Sequence, residues 1–340
     1  MKFGPVAIAD SLGAVVAHMV RREGLVLKKG HVVTAEDIAM LEEAGVAEIV
    51  AARFEPRDVG EDEAAQRLAR AIAGDNLRVE APFTGRCNLF AEKAGVFIAP
   101  AQAIDAVNAL DERVTLATLP PMRRVVAGEM AATVKIIPFA VPGDLLERAL
   151  DAARGARLAV AAFRPLKIGV VSTLLPGLKS KVVDKTLRVL GERLAPAGAR
   201  VVEDVRVDHE ANALAAALAR VASRSDLVIV FGASAITDRR DVIPSAIEMA
   251  DGVVEHFGMP VDPGNLLLLG RLADGKPVLG APGCARSPAE NGFDRVLQRI
   301  LAGVPVTAAD IRRMGAGGLL MEIVSRPQLR APGHDEPGHE

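Results

Sequence analysis

Four short segments in the C-terminal half of the chain combine glycine, proline, small hydroxyl side chains and arginine in a way suited to holding an anion. They are Ser172-Thr173-Leu174-Leu175-Pro176-Gly177, Gly232-Ala233-Ser234-Ala235, Asp262-Pro263-Gly264-Asn265 and Ala281-Pro282-Gly283-Cys284-Ala285-Arg286-Ser287-Pro288. Residues without bulk let backbone N–H groups approach an oxyanion, hydroxyls add donors, and a guanidinium can meet phosphate oxygens in pairs. The second segment runs on into Thr237-Asp238-Arg239-Arg240-Asp241, where an aspartate can cap a helix and an arginine can pair with phosphate. Each segment also has a plainer reading. Pro-Gly is an ordinary turn, and small residues after a strand also permit close strand–helix packing.

Other reactive side chains are sparse. His209 follows Asp208 at the end of an apolar run, an arrangement open to acid–base chemistry or to simple surface decoration. His256, in Glu255-His256-Phe257, precedes a Gly-Met-Pro turn and could face a ligand. No histidine pair has helical metal-ligand spacing, and the two cysteines, Cys87 and Cys284, have none either. Cys284 lies within the fourth segment and reads better as a quiet, packed thiol. Cys87, in Thr84-Gly85-Arg86-Cys87-Asn88, could belong with Lys135 to a second anion site or to a plain turn.

The elements that must position these loops follow from periodicity. From Leu166 onward, apolar runs alternate with amphipathic stretches. Strands are expected at 166–173, 199–207 and 226–234, with helices at 180–194, 210–222, 242–250 and 288–302. Such alternation specifies a parallel sheet covered on both faces, and ligands bind such sheets where strand ends meet helix starts. The first half reads as mixed α/β: a helix-like stretch at 16–22, a capped helix opened by Thr34 and Asp37, a strand at 47–51, a helix at 61–73 and short strands from 79 to 141. The expected division is 1–163, 164–324 and a polar, disordered tail at 325–340.

Composition narrows the function. The chain has 340 residues, half of them hydrophobic, enough for two cores, yet no apolar run reaches the ~18 residues of a membrane span. The start of the chain lacks the pattern of a secretory signal, so a cytoplasmic location is expected. A net charge of −2 with mixed signs, and 3% aromatics with neither Trp nor Tyr, argue against nucleic-acid binding.

Taken in order, the apolar run Asp226–Val230 with Gly232, then Pro263-Gly264, then Pro282-Gly283 with Ser287 resemble the molybdopterin-binding domain, from Lys167 to about Gly303. That domain occurs in MoeA-like molybdenumtransferases, in Mog/MoaB-type adenylyltransferases and in CinA-like proteins. A weaker similarity to the opening segment of molybdenumtransferases runs from Lys29-Gly30 through Thr34–Ile38 to Gly45-Val46. The resemblance implies a three-layer αβα Rossmann-like domain and molybdopterin, or the molybdenum cofactor, as ligand. It implies a cradle of Ser172, Thr173, Gly232, Ala233, Ser234, Pro263, Gly264, Pro282, Gly283, Arg286 and Ser287, and places Asp184, Asp238 and Asp241 as candidate catalytic carboxylates, with Mg2+ as a further candidate ligand. A molybdoenzyme or another cofactor-biosynthesis protein would be the partner, and relatives that form dimers or trimers imply a homo-oligomer.

Departures from the family pattern fall on its chemistry. Family enzymes carry an acidic pair after the first strand, where this chain has Leu174-Leu175-Pro176. Their double glycine is Gly232-Ala233 here, and a further glycine is Thr237. The cradle is kept better than the ligands a metal would need. The expected function is therefore binding for cofactor biosynthesis, delivery or sensing. The alternatives are an active molybdenumtransferase or adenylyltransferase, and a CinA-like nucleotide hydrolase.

Overall fold

A computed structural model of the chain describes residues 1–177 and 180–321. The tail expected to be disordered, 325–340, lies outside the described residues. The chain divides into two compact units, Met1–Ala161 and Ala162–Glu340. Among the described residues, no helix is long and apolar enough to cross a membrane.

The first unit is mixed α/β with two apolar clusters. In one, strands Lys2–Ala7, Glu48–Arg53 and Val15–Val16 form an antiparallel sheet whose inward Val6, Val16, Ile49 and Ala51 pack with Leu41. Leu41 belongs to helix Ala35–Glu43, closed at its start by the reciprocal Thr34–Asp37 capping box. The helix-like reading of 16–22 is corrected: Val15–Val16 and Val20–Arg22 are strands. Valines resist helical χ1 crowding, and Gly24, at φ +73°, closes a two-residue hairpin onto Leu25–Leu27. In the other cluster, strands Leu77–Val79, Arg86–Ala91, Met130–Ile136 and Val114–Thr118 pack beneath helices Glu61–Ile72, Ala101–Asn108 and Gly143–Ala153.

The second unit positions the four loops. Its strands are β1 (Lys167–Leu174), β2 (Arg200–Asp208), β3 (Leu227–Phe231), β4 (Val253–Phe257), β5 (Leu268–Arg271) and β6 (Pro277–Ala281). Its helices are α1 (Ser180–Leu194), α2 (Ala211–Ala222), α3 (Val242–Met249), α4 (Gly292–Leu301) and α5 (Ala308–Arg312). The sheet order is β2-β1-β3-β6-β5-β4, parallel except for β5. β3 is buried along its whole length, which is why it reads as an unbroken apolar run rather than an alternating one.

Helices cover both faces. Leu190 and Leu194 of α1, Phe293, Val296 and Leu297 of α4 and Ile311 of α5 pack on Ile168, Val170, Ile229 and Leu279. Leu214 and Leu218 of α2 and Ile243 and Ile247 of α3 pack on Val171, Val228, Val230 and Val278. The chain is thus α/β, and this unit is a three-layer αβα domain. Gly169 lets α2 lie hard against β1, since a Cβ there would collide with Val221.

One expected boundary is corrected. The last long helix starts at Gly292, not at 288, so the fourth loop does not run directly into it. Residues 283–286 instead form a single 3-10 turn, and Ser287, preceding Pro288, is extended at ψ 146°. Proline disfavours the helical region for the residue before it. Asn291 then caps α4 in a box with Asp294.

Candidate functional site

From β1 the chain passes through α1 to β2 on one side, then crosses through α2 to β3 on the other. The strand order therefore reverses between β1 and β3, and a crevice is expected beyond their carboxyl ends. Leu174, Phe231 and Ala281 end β1, β3 and β6 at that edge.

Side chains lace these strand ends together. Thr173, 1% exposed, accepts the Ala233 N–H at 2.8 Å and shares a second 2.8 Å hydrogen bond with His209 Nδ1. The His209 N–H donates to Leu174 O at 2.9 Å. From the fourth loop, Arg286 reaches across β3: Nη2 donates to Gly232 O at 2.8 Å and Nη1 to Thr186 Oγ1, on α1, at 3.3 Å. Its guanidinium lies over the Phe231 ring, 5.7 Å from the centroid.

A second arginine holds the fourth loop itself. Arg193, near the end of α1, donates to Ala285 O at 2.9 Å, Ser287 O at 2.7 Å and Ala289 O at 3.2 Å. Its Nε meets Asp294 Oδ1 at 2.6 Å, and both side chains are 9% exposed. Electrostatically the two arginines differ. Arg193 has a buried carboxylate beside it. Arg286 has none among the described residues, and burial pushes its pKa below the ordinary arginine value. Ser172, 2% exposed, buries an Oγ that meets no hydrogen-bonding partner among the described residues.

The structure brings Ser172, Thr173, Gly232, Ala233, Gly283 and Arg286 to this edge, in different capacities. Gly283 is exposed, and a Cβ there would meet open space. Gly232 instead serves a tight turn, because a Cβ would sit 2.7 Å from Ser234 O and 3.0 Å from Ile243 Cδ1. The Ala233 amide is occupied by Thr173. Ser234 is exposed, Pro282 is buried, and Ser287 Oγ accepts the Ala289 N–H at 3.3 Å. Pro263 and Gly264 are buried. A Cβ on Gly264 would lie 2.7 Å from Gly292 Cα, and Pro263 O accepts the Gly292 N–H at 2.8 Å, so this turn lets α4 begin close by.

The three candidate carboxylates do not come together. Asp184 is exposed and pairs with Arg206 at 2.7 Å. Asp238 pairs with Arg240 at 2.7 Å on the surface. Asp241 caps α3, accepting Val242 N–H at 2.8 Å and Thr237 N–H at 3.2 Å. Among the described residues, no group of three His, Cys, Asp or Glu side chains could hold a metal. These three carboxylates, each already taken by an arginine or by backbone amides, form no shared site for magnesium. His256, on β4, has its pKa lowered first by burial and then by the charges of Arg312 and Arg239.

Sequence reasoning missed Thr186 and Arg193. The signal was available: they stand two helical turns apart, a hydroxyl and a guanidinium on the stripe that Val183, Leu190 and Leu194 otherwise keep apolar.

One comparison, with protein-family models, falls on the same segment. Residues 168–310 match the family model described as a probable molybdopterin binding domain, and residues 5–53 match a domain of unknown function. Among solved structures, a molybdopterin biosynthesis MoeA protein from Pyrococcus horikosii shares 14% identity, with 91% of this chain and 75% of that one covered at a TM-score of 0.28. The CinA protein from Thermoplasma acidophilum shares 18% identity over 41% of this chain and 98% of its own, at 0.29. A molybdenum cofactor biosynthesis protein from Pyrococcus furiosus shares 11% over 95% and 68%, at 0.24. No curated protein matches the chain.

Proposed function

We propose that the C-terminal unit, whose residues 168–310 are a divergent member of the molybdopterin-binding domain family, holds a molybdopterin-type pterin at the carboxyl edge of its sheet and serves molybdenum-cofactor biosynthesis by binding rather than by metal-dependent transfer. The observation that carries this reading is the stapling of three strand ends at the reversal point of a domain of that family. Thr173 ties β1 to the Gly232-Ala233 loop, and Arg286 ties the Pro282–Ser287 loop to the same place. The open side of Gly283 leaves room for ligand against backbone there. Binding is favoured over transfer because Asp184, Asp238 and Asp241 are each engaged at separate places. Positioning magnesium and a transferred group needs at least a carboxylate free to meet the metal, and these three are committed to other partners.

In this reading the chain binds and shields its ligand in the cytoplasm, as a carrier or sensor. A molybdoenzyme or another cofactor-biosynthesis protein receives it, and self-association places several sites in one particle.

The test is to purify the protein from cells that make molybdopterin and to detect the fluorescence of oxidised pterin released on denaturation. Retained pterin at near one equivalent is expected. No pterin in the purified protein, together with no binding on titration, removes the proposal. Turnover of molybdopterin with ATP and magnesium would replace binding with transfer.

A further inference from the structure

The six-stranded sheet ends at β2, which pairs with β1 on one side and with no strand on the other. β2 runs nine residues, against five for β4 at the opposite edge. One bond just past its end fixes which way its backbone faces: the His209 N–H turns inward, to Leu174 O. Successive residues of a strand aim their N–H and C=O groups to opposite sides. Val207, Val205 and Glu203 therefore bond toward β1, while Arg206 and Asp204 present their backbone groups outward. Among the described residues, no loop or side chain meets those outward groups. An open row of this kind is a template for another strand.

Proteins guard such edges with charged side chains, bulges or early ends. β2 has a bulge: the register passes from Ile168 opposite Val201 to Gly169 opposite Glu203, leaving Val202 over. Beyond it, residues 203–208 keep an unbroken register. The charges there are opposite in sign, so they do not simply repel a second copy. Asp204 and Arg206 lie on the α1 face, where Arg206 Nη2 donates to Asp184 at 2.7 Å. Arg206 Nε and Nη2 also hold Asp204 of the same strand, and among the described residues Nη1 meets no acceptor. Val205 and Val207 lie on the other face, packed on the α2 side.

We infer that β2 pairs antiparallel with β2 of a second copy of this chain, about a twofold axis through Val205, so that two sheets become one. Outward residues must lie opposite outward residues, so the axis passes through a residue rather than between two. Centred on Val205, Asp204 of each copy faces Arg206 of the other, and each such pair exchanges both its backbone N–H···O bonds. Centring on Asp204 or Arg206 sets like charges face to face. Centring on Glu203 opposes Arg206 to Arg200, and centring on Val207 opposes Asp204 to Glu210. Charge thus selects one register.

The contact uses the same patch on both copies and closes at two. Running antiparallel, it sends the two carboxyl edges to opposite ends of the joined sheet. It gives the self-association proposed above a surface, and it stands independently of the pterin reading.

The test uses the full chain in sedimentation velocity. The wild type is expected to form a dimer in a concentration-dependent way. Asp204→Arg and Arg206→Asp each set like charges opposite one another at both pairs and should weaken the dimer by at least about tenfold. Mixed in equal amounts, the two variants complement each other, and a heterodimer should form. Val205→Cys, treated with oxidised glutathione, should become a disulfide-linked dimer, two thiols giving one intermolecular disulfide. Residues on the axis face each other with Cα atoms about 4.5 Å apart, within disulfide reach. Val207→Cys, which lies opposite Glu203, should not cross-link, and neither should the wild type with its Cys87 and Cys284.

A wild type that stays monomeric from micromolar to submillimolar concentration overturns the pairing. So does a dimer that both charge reversals leave intact, a mixture that stays monomeric, or cross-linking of Val207→Cys as readily as of Val205→Cys. Pterin retained in the same samples separates the two proposals. A monomer that retains pterin removes the pairing alone, and a dimer of this register without pterin removes the pterin reading alone.

Discussion

Replacing Arg193 with methionine tests whether a buried ion pair sets the fourth loop. The guanidinium and the Asp294 carboxylate are each 9% exposed and 2.6 Å apart, so water screens them little. Methionine fills similar volume but strands Asp294, which then keeps the Asn291 N–H at 2.9 Å as its remaining close donor. Breaking one side of such a pair costs about 3–5 kcal/mol. The carbonyls of Ala285, Ser287 and Ala289 lose their shared donor as well. Replacing Asp294 with leucine in the same background removes the stranded charge, and the double variant should be more stable than additivity predicts by about 1–3 kcal/mol. The chain has neither Trp nor Tyr, so urea unfolding is best followed by far-ultraviolet circular dichroism. A change below about 1 kcal/mol in Arg193→Met, or strict additivity in the double variant, would refute the clamp.

Three further outcomes are expected. Gly283→Val should leave unfolding within about 0.5 kcal/mol of wild type, since its side chain meets open space, yet should lose retained pterin. Gly169→Ala should cost about 1–3 kcal/mol in urea melts, because the added methyl collides with Val221 and α2 must shift. His256 should titrate below 6.5 by NMR, and Arg312→Gln should move it upward. With the folded pKa depressed, the unfolded chain takes up the proton first. The contribution of neutral His256 to stability is therefore fully present above pH 6.5 and is lost as pH falls below it, and His256→Gln should flatten that limb of the stability profile.

The layered architecture was legible because burial writes itself into local pattern. β3 is covered on both faces and appears as an unbroken Leu227–Phe231 run, whereas α4 and α1 show the spacing of helices with one wet side. Thr34 and Asp37 announced their helix because a capping box needs nothing beyond four residues of chain. The extended pieces Val15–Val16 and Val20–Arg22 were misread because their pairing depends on a distant strand and on a glycine hairpin, not on periodicity. At the site, loop composition marked the right edge of the sheet but not the division of labour. Gly232 and Gly283 look alike in sequence, yet one closes a turn and the other faces open space. Pro263-Gly264 looked like a ligand turn, and its packing against the start of a helix could not be read from the segment itself. The contribution of Arg193 depends on carbonyls more than ninety residues away, which no window could reveal.

The inverted strand β5 has a consequence for how the domain assembles. Because β5 runs against both neighbours, Val253 to Ala281 is a meander joined by short connections, and it can zip up from contacts close along the chain. The seam between β3 and β6 has no such shortcut. The Arg286 bond that crosses it joins residues 54 positions apart. Closing that gap costs loop entropy before any contact repays it, as does closing the β1–β3 seam that pairs Ile168 with Leu227, so the two seams flanking β3 are expected to knit last. Capacity to take up ligand should then return in the slowest refolding phase, after most secondary structure is back, making occupancy itself a reporter of completed assembly.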